Sequence, residues 1–245
     1  MAPTLEQIPT ERLHEMLGAG LEVLNCHRVL ALTGDNIVGE LIKGHQSFYE
    51  WDHYPPGDVY DGAHDSQFYY HAHPQLERVG EHGHFHSFLH PAAISPAAKP
   101  LVEPPKSELE DDQTTLCHLV CISMDSKGIP IRFFTTNRWV TGEILYPAET
   151  IVQALDRFEI DLAQPSWPVN IWLTNMIRFY RPAIEKLLWE RDVTILSWQR
   201  VHPDSNAYED RDLEVTSCVD ISVDEQMAAV RETLAHRGEH VPEIE

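Results

Sequence analysis

Apolar positions in the first 45 residues recur with the period of an α-helix. One apolar stripe follows Thr10, which is expected to cap the helix, and consists of Leu13, Met16, Leu17, Leu21 and Leu24. A second, shorter helix is expected between Asp35, as its cap, and Gly44. The pattern therefore predicts a helical N-terminal segment over residues 1–45.

Residues 46–145 change to the two-residue alternation that is typical of β-strands. Four strands are predicted, over residues 66–73, 81–89, 114–125 and 129–140. The segment from Asp125 to Gly128 predicts a hairpin turn, because glycine readily adopts the positive φ that such turns need. The proline-containing segments 51–58 and 91–113 are expected to be loops.

Residues 146–245 return to helical spacing, interrupted by one predicted strand over 213–221. Helices are predicted after Pro147, over 169–180 and after Pro182. Another begins at Ser222, where Glu225 completes a capping-box pattern. We therefore predict an α+β fold, a single domain over 1–245 in which helices from both termini pack on a central antiparallel β-meander.

Histidine is concentrated in the predicted sheet, since nine of the 15 histidines lie between His45 and His90. Side chains alternate between the two faces of a strand, and the opposite faces of the strands concerned are largely apolar. Alternation places five of these residues on one face of two neighbouring strands: His71, His73, His82, His84 and His86. A hairpin that pairs His73 with His84 would bring the imidazoles together.

A metal ion is the best explanation for so many imidazoles on one face. Charged imidazoles would repel one another, and buried ones without partners would each cost roughly 1–3 kcal/mol. Imidazole is a common ligand of Fe, Zn and Cu, and the sequence leaves the choice among these transition metals open. A metal-free catalytic or structural cluster and a solvent-exposed histidine surface are the alternatives.

The predicted metal ligands come from all three histidine-bearing segments of the sheet. Glu77 or Glu81 would add a carboxylate, and His118 is equally well explained as a core histidine. Cys117 and Cys121 alternate onto one face without His118 and are interpreted as core residues. The predicted ligands are His71, His73, His84, His86, Glu77 and His118.

Three further residues are candidates for catalysis beside the metal. Glu81 and His82 lie next to the ligands and carry side chains suited to proton transfer. Arg138, expected on the fourth strand, would hold a substrate carboxylate with two hydrogen bonds. An ion pair within this acidic protein is the alternative for Arg138.

The charge of the chain limits its partners. Lys and Arg number 18 against 39 Asp and Glu, which gives a formal net charge of −21. Such a chain is expected to bind neither nucleic acid nor an anionic membrane surface, so a small molecule is the expected substrate. Four cysteines and no recognisable secretory signal favour a cytoplasmic location, and the oligomeric state stays open.

Two resemblances accompany this interpretation. The pattern His71-Ala-His73, followed by Glu77 and Gly83, resembles the first metal motif of cupins, which implies these His and Glu residues as ligands in a β-barrel. The second cupin motif has no counterpart here. Most of the chain resembles a bacterial protein family of unassigned function, through the stretches Trp-Asp-His-Tyr-Pro, Tyr-His-Ala-His-Pro, Glu-His-Gly-His-Phe-His and Phe-Thr-Thr-Asn-Arg-Trp.

The sequence therefore predicts a non-haem metalloenzyme, either oxygen-dependent or hydrolytic, with an oxidoreductase favoured. A carrier of metal or haem without turnover is a second hypothesis. A metal-free module whose acidic surface binds a basic partner is a third. All three hypotheses share the same predicted fold.

Overall fold

A computed structural model describes residues 4–45, 47–74, 78–102 and 115–242. In these residues the sheet is a six-stranded antiparallel meander, with each strand hydrogen-bonded to the next along the chain. The α+β prediction is confirmed. The strands are β1 (Tyr54–Asp61), β2 (Ser66–His71), β3 (Gly83–Leu89), β4 (Cys117–Met124), β5 (Pro130–Thr136) and β6 (Val215–Asp220).

Helices precede and follow the sheet in sequence, as the periodicity predicts. The first, α1, packs against α5 and α7, while α6 packs against β5 and β6. The α-helices are α1 (Thr10–Ala31), α2 (Ile37–Ile42), α3 (Arg138–Thr141), α4 (Ala148–Ala154), α5 (Trp167–Phe179), α6 (Arg181–Val201) and α7 (Val223–His236). No helix in the described part of the chain combines the length and apolar character needed to cross a bilayer.

One face of the sheet forms the main hydrophobic core with the helices. Its members alternate along the strands and include Phe68, Phe85, Ile122 and Phe133, all fully buried. The ring of Phe85 lies 5.4 Å from that of Trp172 on α5. This apolar face fixes the register, because a one-residue slip in any strand would turn these side chains away from the helices.

Several predicted boundaries need correction. The Pro-Pro-Gly segment is part of edge strand β1, where a bulge between Tyr54 and Val59 interrupts the pairing with β2. Proline lacks a backbone donor, and an edge strand with a bulge can accept that loss. The fourth predicted strand ends at Thr136, and Asn137 caps the short helix α3 instead.

The helix caps and the sheet ends also refine the predictions. Asn36, rather than Asp35, accepts the backbone hydrogen bonds that cap α2. Ser222 caps α7 through the backbone N–H of Glu225, as predicted. Strands β1 and β6 do not pair in the described residues, so the sheet is open and the β-barrel implied by the cupin motif is not found.

Candidate metal centre

The second face of the sheet carries the histidines, as the alternation predicts. His71 on β2 lies opposite His84 on β3, and Tyr69 lies opposite His86. The odd–even pairing is therefore confirmed, but the register differs by two residues from the predicted His73–His84 pairing. Strand β2 ends at His71, and His73 follows it outside the ladder.

A bulge in β4 adds two more donors to this face. On β3 the consecutive residues His86, Ser87 and Phe88 pair with Cys121, Val120 and His118 of β4, so one residue of β4 is left without a partner. Leu119 is the extra residue, and it reverses the alternation that follows. Cys121 therefore shares the histidine face with His118, and its interpretation as a core residue on the other face is wrong. Cys117 does lie on that other face, where it pairs with Leu89.

Three imidazoles converge at the β2–β3 end of this surface. His71, His73 and His84 offer ring nitrogens that all lie within 4.8 Å of one another. The Nε2 atoms of His71 and His84 are 2.8 Å apart. Ligands on an ion at ~2.0–2.1 Å are separated by roughly 3.0–3.4 Å, so small side-chain adjustments would suffice for binding. We call this group the first triad.

Glu81 orients the first triad through His84. Its Oε1 lies 2.7 Å from Nδ1 of His84, and both side chains are buried. Because a carboxylate accepts, His84 Nδ1 donates, and the lone pair of the neutral ring is left on Nε2, which faces His71. A carboxylate that holds a ligating histidine in this way is a recurrent feature of metal sites in proteins.

A second set of donors lies deeper, on β3 and β4. His86 Nδ1 is 3.2 Å from His118 Nε2, and Cys121 Sγ lies 3.3 Å and 3.4 Å from these two atoms. All three side chains are fully or almost fully buried. We call this group the buried triad. It adjoins the first triad through the contact of 3.1 Å between Nε2 of His84 and Nε2 of His86.

Burial keeps four of these imidazoles neutral, those of His71, His84, His86 and His118. Loss of solvation, reinforced by repulsion among the rings, lowers the pKa of His71 to about 2. Desolvation lowers the pKa of His84 to about 4, although Glu81 opposes the shift, and it lowers that of His118 to about 3. It also raises the pKa of the Cys121 thiol. Neutral rings present the lone pairs that a metal ion needs.

A cleft of about 600 Å³ reaches His73, one member of the first triad, from solvent. It is lined by His73, Glu81 and His82, with Phe48 and Glu50 on its walls. A small molecule in this cleft would lie beside His73 and the carboxylate of Glu81. The buried triad contributes no residue to the lining.

His82 takes a different position from the predicted one. It precedes the start of β3, and its Nδ1 lies 2.6 Å from the hydroxyl of Tyr70, whose side chain belongs to the helix-facing core. The shared face with His84 and His86 is therefore not observed. Burial lowers the pKa of His82, so the ring that hydrogen-bonds to the tyrosine hydroxyl is neutral, and the residue lines the cleft.

The remaining predicted site residues are Arg138, Glu77 and His118. Arg138 belongs to α3 rather than a strand, and it contacts a carboxylate oxygen of Glu209 and the backbone carbonyl of Glu143, at 3.2 Å for the latter. The ion-pair alternative therefore describes its surroundings. Glu77 lies outside the described residues. His118, for which a core role was an equal alternative, lies within the buried triad.

Two residues near the centre have no signal in the sequence pattern. Glu143 is fully buried, and its Oε2 accepts a hydrogen bond of 2.7 Å from the backbone N–H of His118. Burial raises the pKa of Glu143 to about 7, against the opposing effect of Arg191. Thr136 places its hydroxyl 3.4 Å from Nδ1 of His118. Neither contact could be predicted from local spacing, because the partners are far apart in the chain and only the fold brings them together.

Comparison with known proteins identifies the family of this chain. Residues 17–221 match the model of the domain of unknown function DUF6969, and the chain belongs to that family. The expected membership in an uncharacterised family is thereby confirmed. No curated protein and no solved structure matches the chain. The chemistry of the site is therefore argued from its own geometry.

Proposed function

We propose that this protein is a metal-dependent enzyme in which the first triad binds a transition metal ion at the end of the cleft. Three imidazoles leave at least one coordination position for water or substrate, which is the arrangement of catalytic rather than structural metal sites. The substrate would be a small molecule that enters the cleft beside His73 and Glu81.

The observation that carries this proposal is the Glu81–His84 contact next to two further imidazoles. A buried histidine needs one partner for its N–H, and Glu81 supplies it at 2.7 Å. The other nitrogen then faces His71 at 2.8 Å, where two lone pairs would repel unless one ring donates or an ion lies between them. The outer carboxylate favours the ion, because it raises the basicity of the ligand.

The identity of the ion would select the reaction class. Iron or copper would support oxygen-dependent chemistry, which we favour, whereas zinc would favour hydrolysis by a metal-bound water. Glu81 would then hold the ligand in place, and His82, held by Tyr70 at the cleft wall, could exchange protons with a bound molecule.

The first experiment is metal analysis of the full chain, purified without chelator, by elemental mass spectrometry. The double variant His71→Ala/His73→Ala removes two ligands and leaves the Glu81–His84 pair intact. We expect it to lose one equivalent of metal per chain relative to wild type. His236→Ala is the matched control, since its side chain is 77 % exposed on α7 and should leave metal content unchanged.

A second measurement separates an enzyme from a carrier. In protein loaded with Co²⁺, an open coordination position should let added azide change the visible spectrum. An unchanged spectrum would point to a closed site and to metal carriage without turnover. Wild-type metal content in a folded double variant, judged by circular dichroism, would refute metal binding by the first triad.

A further inference from the structure

The buried triad has a geometry that the first triad does not explain. Its three donor atoms form a nearly equilateral triangle, with sides of 3.2, 3.3 and 3.4 Å. Donors on a tetrahedral ion at ~2.0–2.1 Å for nitrogen and ~2.3 Å for sulfur are separated by roughly 3.3–3.6 Å. The atoms therefore already lie close to the spacing that one ion would impose.

A hydrogen bond beside the buried triad directs the lone pair of His118 inward. Thr136 Oγ1 lies 3.4 Å from Nδ1 of His118 and can accept its N–H. The lone pair of His118 is then on Nε2, which faces both Cys121 and His86. Thr136 thus has the same relation to His118 that Glu81 has to His84.

We propose that His86, His118 and Cys121 bind a second metal ion, so that the protein carries two ions on one face of its sheet. A site with a thiolate and two imidazoles suits Zn²⁺ or Cu⁺ better than harder ions. Binding displaces the thiol proton of Cys121 to solvent and forms the metal–sulfur bond, with no change of oxidation state. The inference extends the proposed function, but it rests on different ligands.

The two positions are expected to influence each other. His86 presents Nδ1 to the buried triad, while its Nε2 lies 3.1 Å from Nε2 of His84 in the first triad. Two cations at such close positions repel, and the second equivalent should bind more weakly than the first. Because the buried triad contributes nothing to the cleft lining, we assign the second ion a structural role.

The chain supplies a matched pair of cysteines for the test. Cys121 and Cys117 lie on the same strand and are both completely buried, but only Cys121 faces the histidines. Full-length apo protein of wild type, Cys121→Ala, Cys117→Ala and His71→Ala/His73→Ala would be titrated with Co²⁺. Bound metal is counted after gel filtration, and the near-ultraviolet band of a thiolate–cobalt bond is recorded.

Wild type and Cys117→Ala should bind two equivalents and show the thiolate band. Cys121→Ala should bind one equivalent and lose the band, whereas His71→Ala/His73→Ala should bind one and keep it. A wild type that binds one equivalent without the thiolate band would overturn the second site and leave the first intact. Loss of the band in Cys117→Ala but not in Cys121→Ala would equally refute the assignment.

The two proposals fail in distinguishable ways. If His71→Ala/His73→Ala binds as much Co²⁺ as wild type while Cys121→Ala loses one equivalent, binding at the buried triad is supported and binding at the first triad is refuted. A Cys121→Ala protein that unfolds is replaced by Cys121→Val, which fills more of the buried volume and still lacks a ligand. Circular dichroism confirms the fold of each variant before metal is counted.

Discussion

At the scale of single residues, the orientation of the first triad depends on Glu81. Burial alone would raise the pKa of this carboxyl, but the hydrogen bond with His84 and the nearby charge of Arg78 lower it below its ordinary value. Glu81 is therefore ionised at neutral pH and keeps the Nδ1 proton of His84 in place. Glu81 would therefore act on the proposed metal ion through His84.

Replacing Glu81 with Gln should weaken metal binding without unfolding the protein. Gln can still accept from His84, but it lacks the negative charge that raises the basicity of the ring. We expect the affinity of the first triad to fall roughly 10–100-fold, as measured by competition with a chelating dye. Glu50→Gln, in an exposed residue of the same cleft, is the control and should bind metal as wild type does. Equal affinities for the two variants would contradict the role of Glu81.

How far single residues can be predicted depends on whether their position follows from alternation. His71, His84 and His86 share a face because they lie on regular stretches of strand, where period two holds. His82 does not share that face, because the strand begins only at the next residue, Gly83. Gly83 packs so closely against Tyr70 and the backbone of His71 that any side chain there would collide. Side chains alternate between the faces only within the strand, and the sequence pattern does not show at which residue the strand begins.

At the scale of elements, the bulge in β4 decides which donors face the histidines. A regular strand would place His118 and Cys121 on opposite faces, since they are three positions apart along the chain. Leu119 adds one residue to β4 relative to β3 and puts both donors on the same side. A bulge depends on the partner strand as well as its own, so the sequence of β4 alone could not predict it.

The turn between β1 and β2 is an electrostatically stabilised element. Asp61, at the end of β1, accepts hydrogen bonds from the backbone N–H groups of Ala63 and Asp161 and contacts His64 Nδ1 at 3.0 Å. Burial would raise the pKa of Asp61, but these bonds outweigh it and the pKa lies below its usual value. The hydrogen bond with Asp61 raises the pKa of His64.

These shifts predict how stability should depend on pH. The contribution of Asp61 is complete above its unfolded pKa of ~3.9 and is lost as pH falls through its lowered folded pKa. That of His64 is complete below its unfolded pKa of ~6.5 and is lost as pH rises through its raised folded pKa. The pair should therefore stabilise the turn most between about pH 4 and 6.5.

Asp61→Asn should reduce the free energy of unfolding at pH 7 by roughly 1.5–3 kcal/mol, because a charged acceptor is lost from a buried site. Urea unfolding at pH 7 and at pH 3 measures the effect, and the difference between variant and wild type should shrink at the lower pH. Asp52→Asn, in an exposed residue of the preceding loop, serves as control. A pH-independent difference would show that Asp61 acts by packing alone.

At the scale of the whole molecule, the sheet separates two environments. One face supports the helical core, and the other gathers polar donors from β2, β3 and β4. This division was predictable, because both faces depend on the same alternation along the strands. The surroundings of the donors were not predictable, because His118 contacts residues far from it in the chain, Glu143 after β5 and Thr136 at the end of β5.

Metal removal should destabilise the whole fold. The proposed ligands cross-link three strands, and an ion that binds only the folded state stabilises it by ~4 kcal/mol when free metal is 1,000 times its dissociation constant. Differential scanning calorimetry should show a lower Tm for wild type and His236→Ala after chelation. A smaller drop is expected for His71→Ala/His73→Ala, which has only the ion proposed for the buried triad to lose. An identical shift in all three proteins would mean that the stabilising ion binds elsewhere.

The four cysteines differ in exposure, so a fluorophore can be attached to the folded chain at a single site. Cys26, Cys117 and Cys121 are buried, and Cys218 on β6 is exposed. A thiol-reactive fluorophore should therefore attach at Cys218 without any engineering and leave the proposed sulfur ligand untouched. Energy transfer from that dye to a coloured ion such as Cu²⁺ would then report, in real time, when the histidine face takes up its metal.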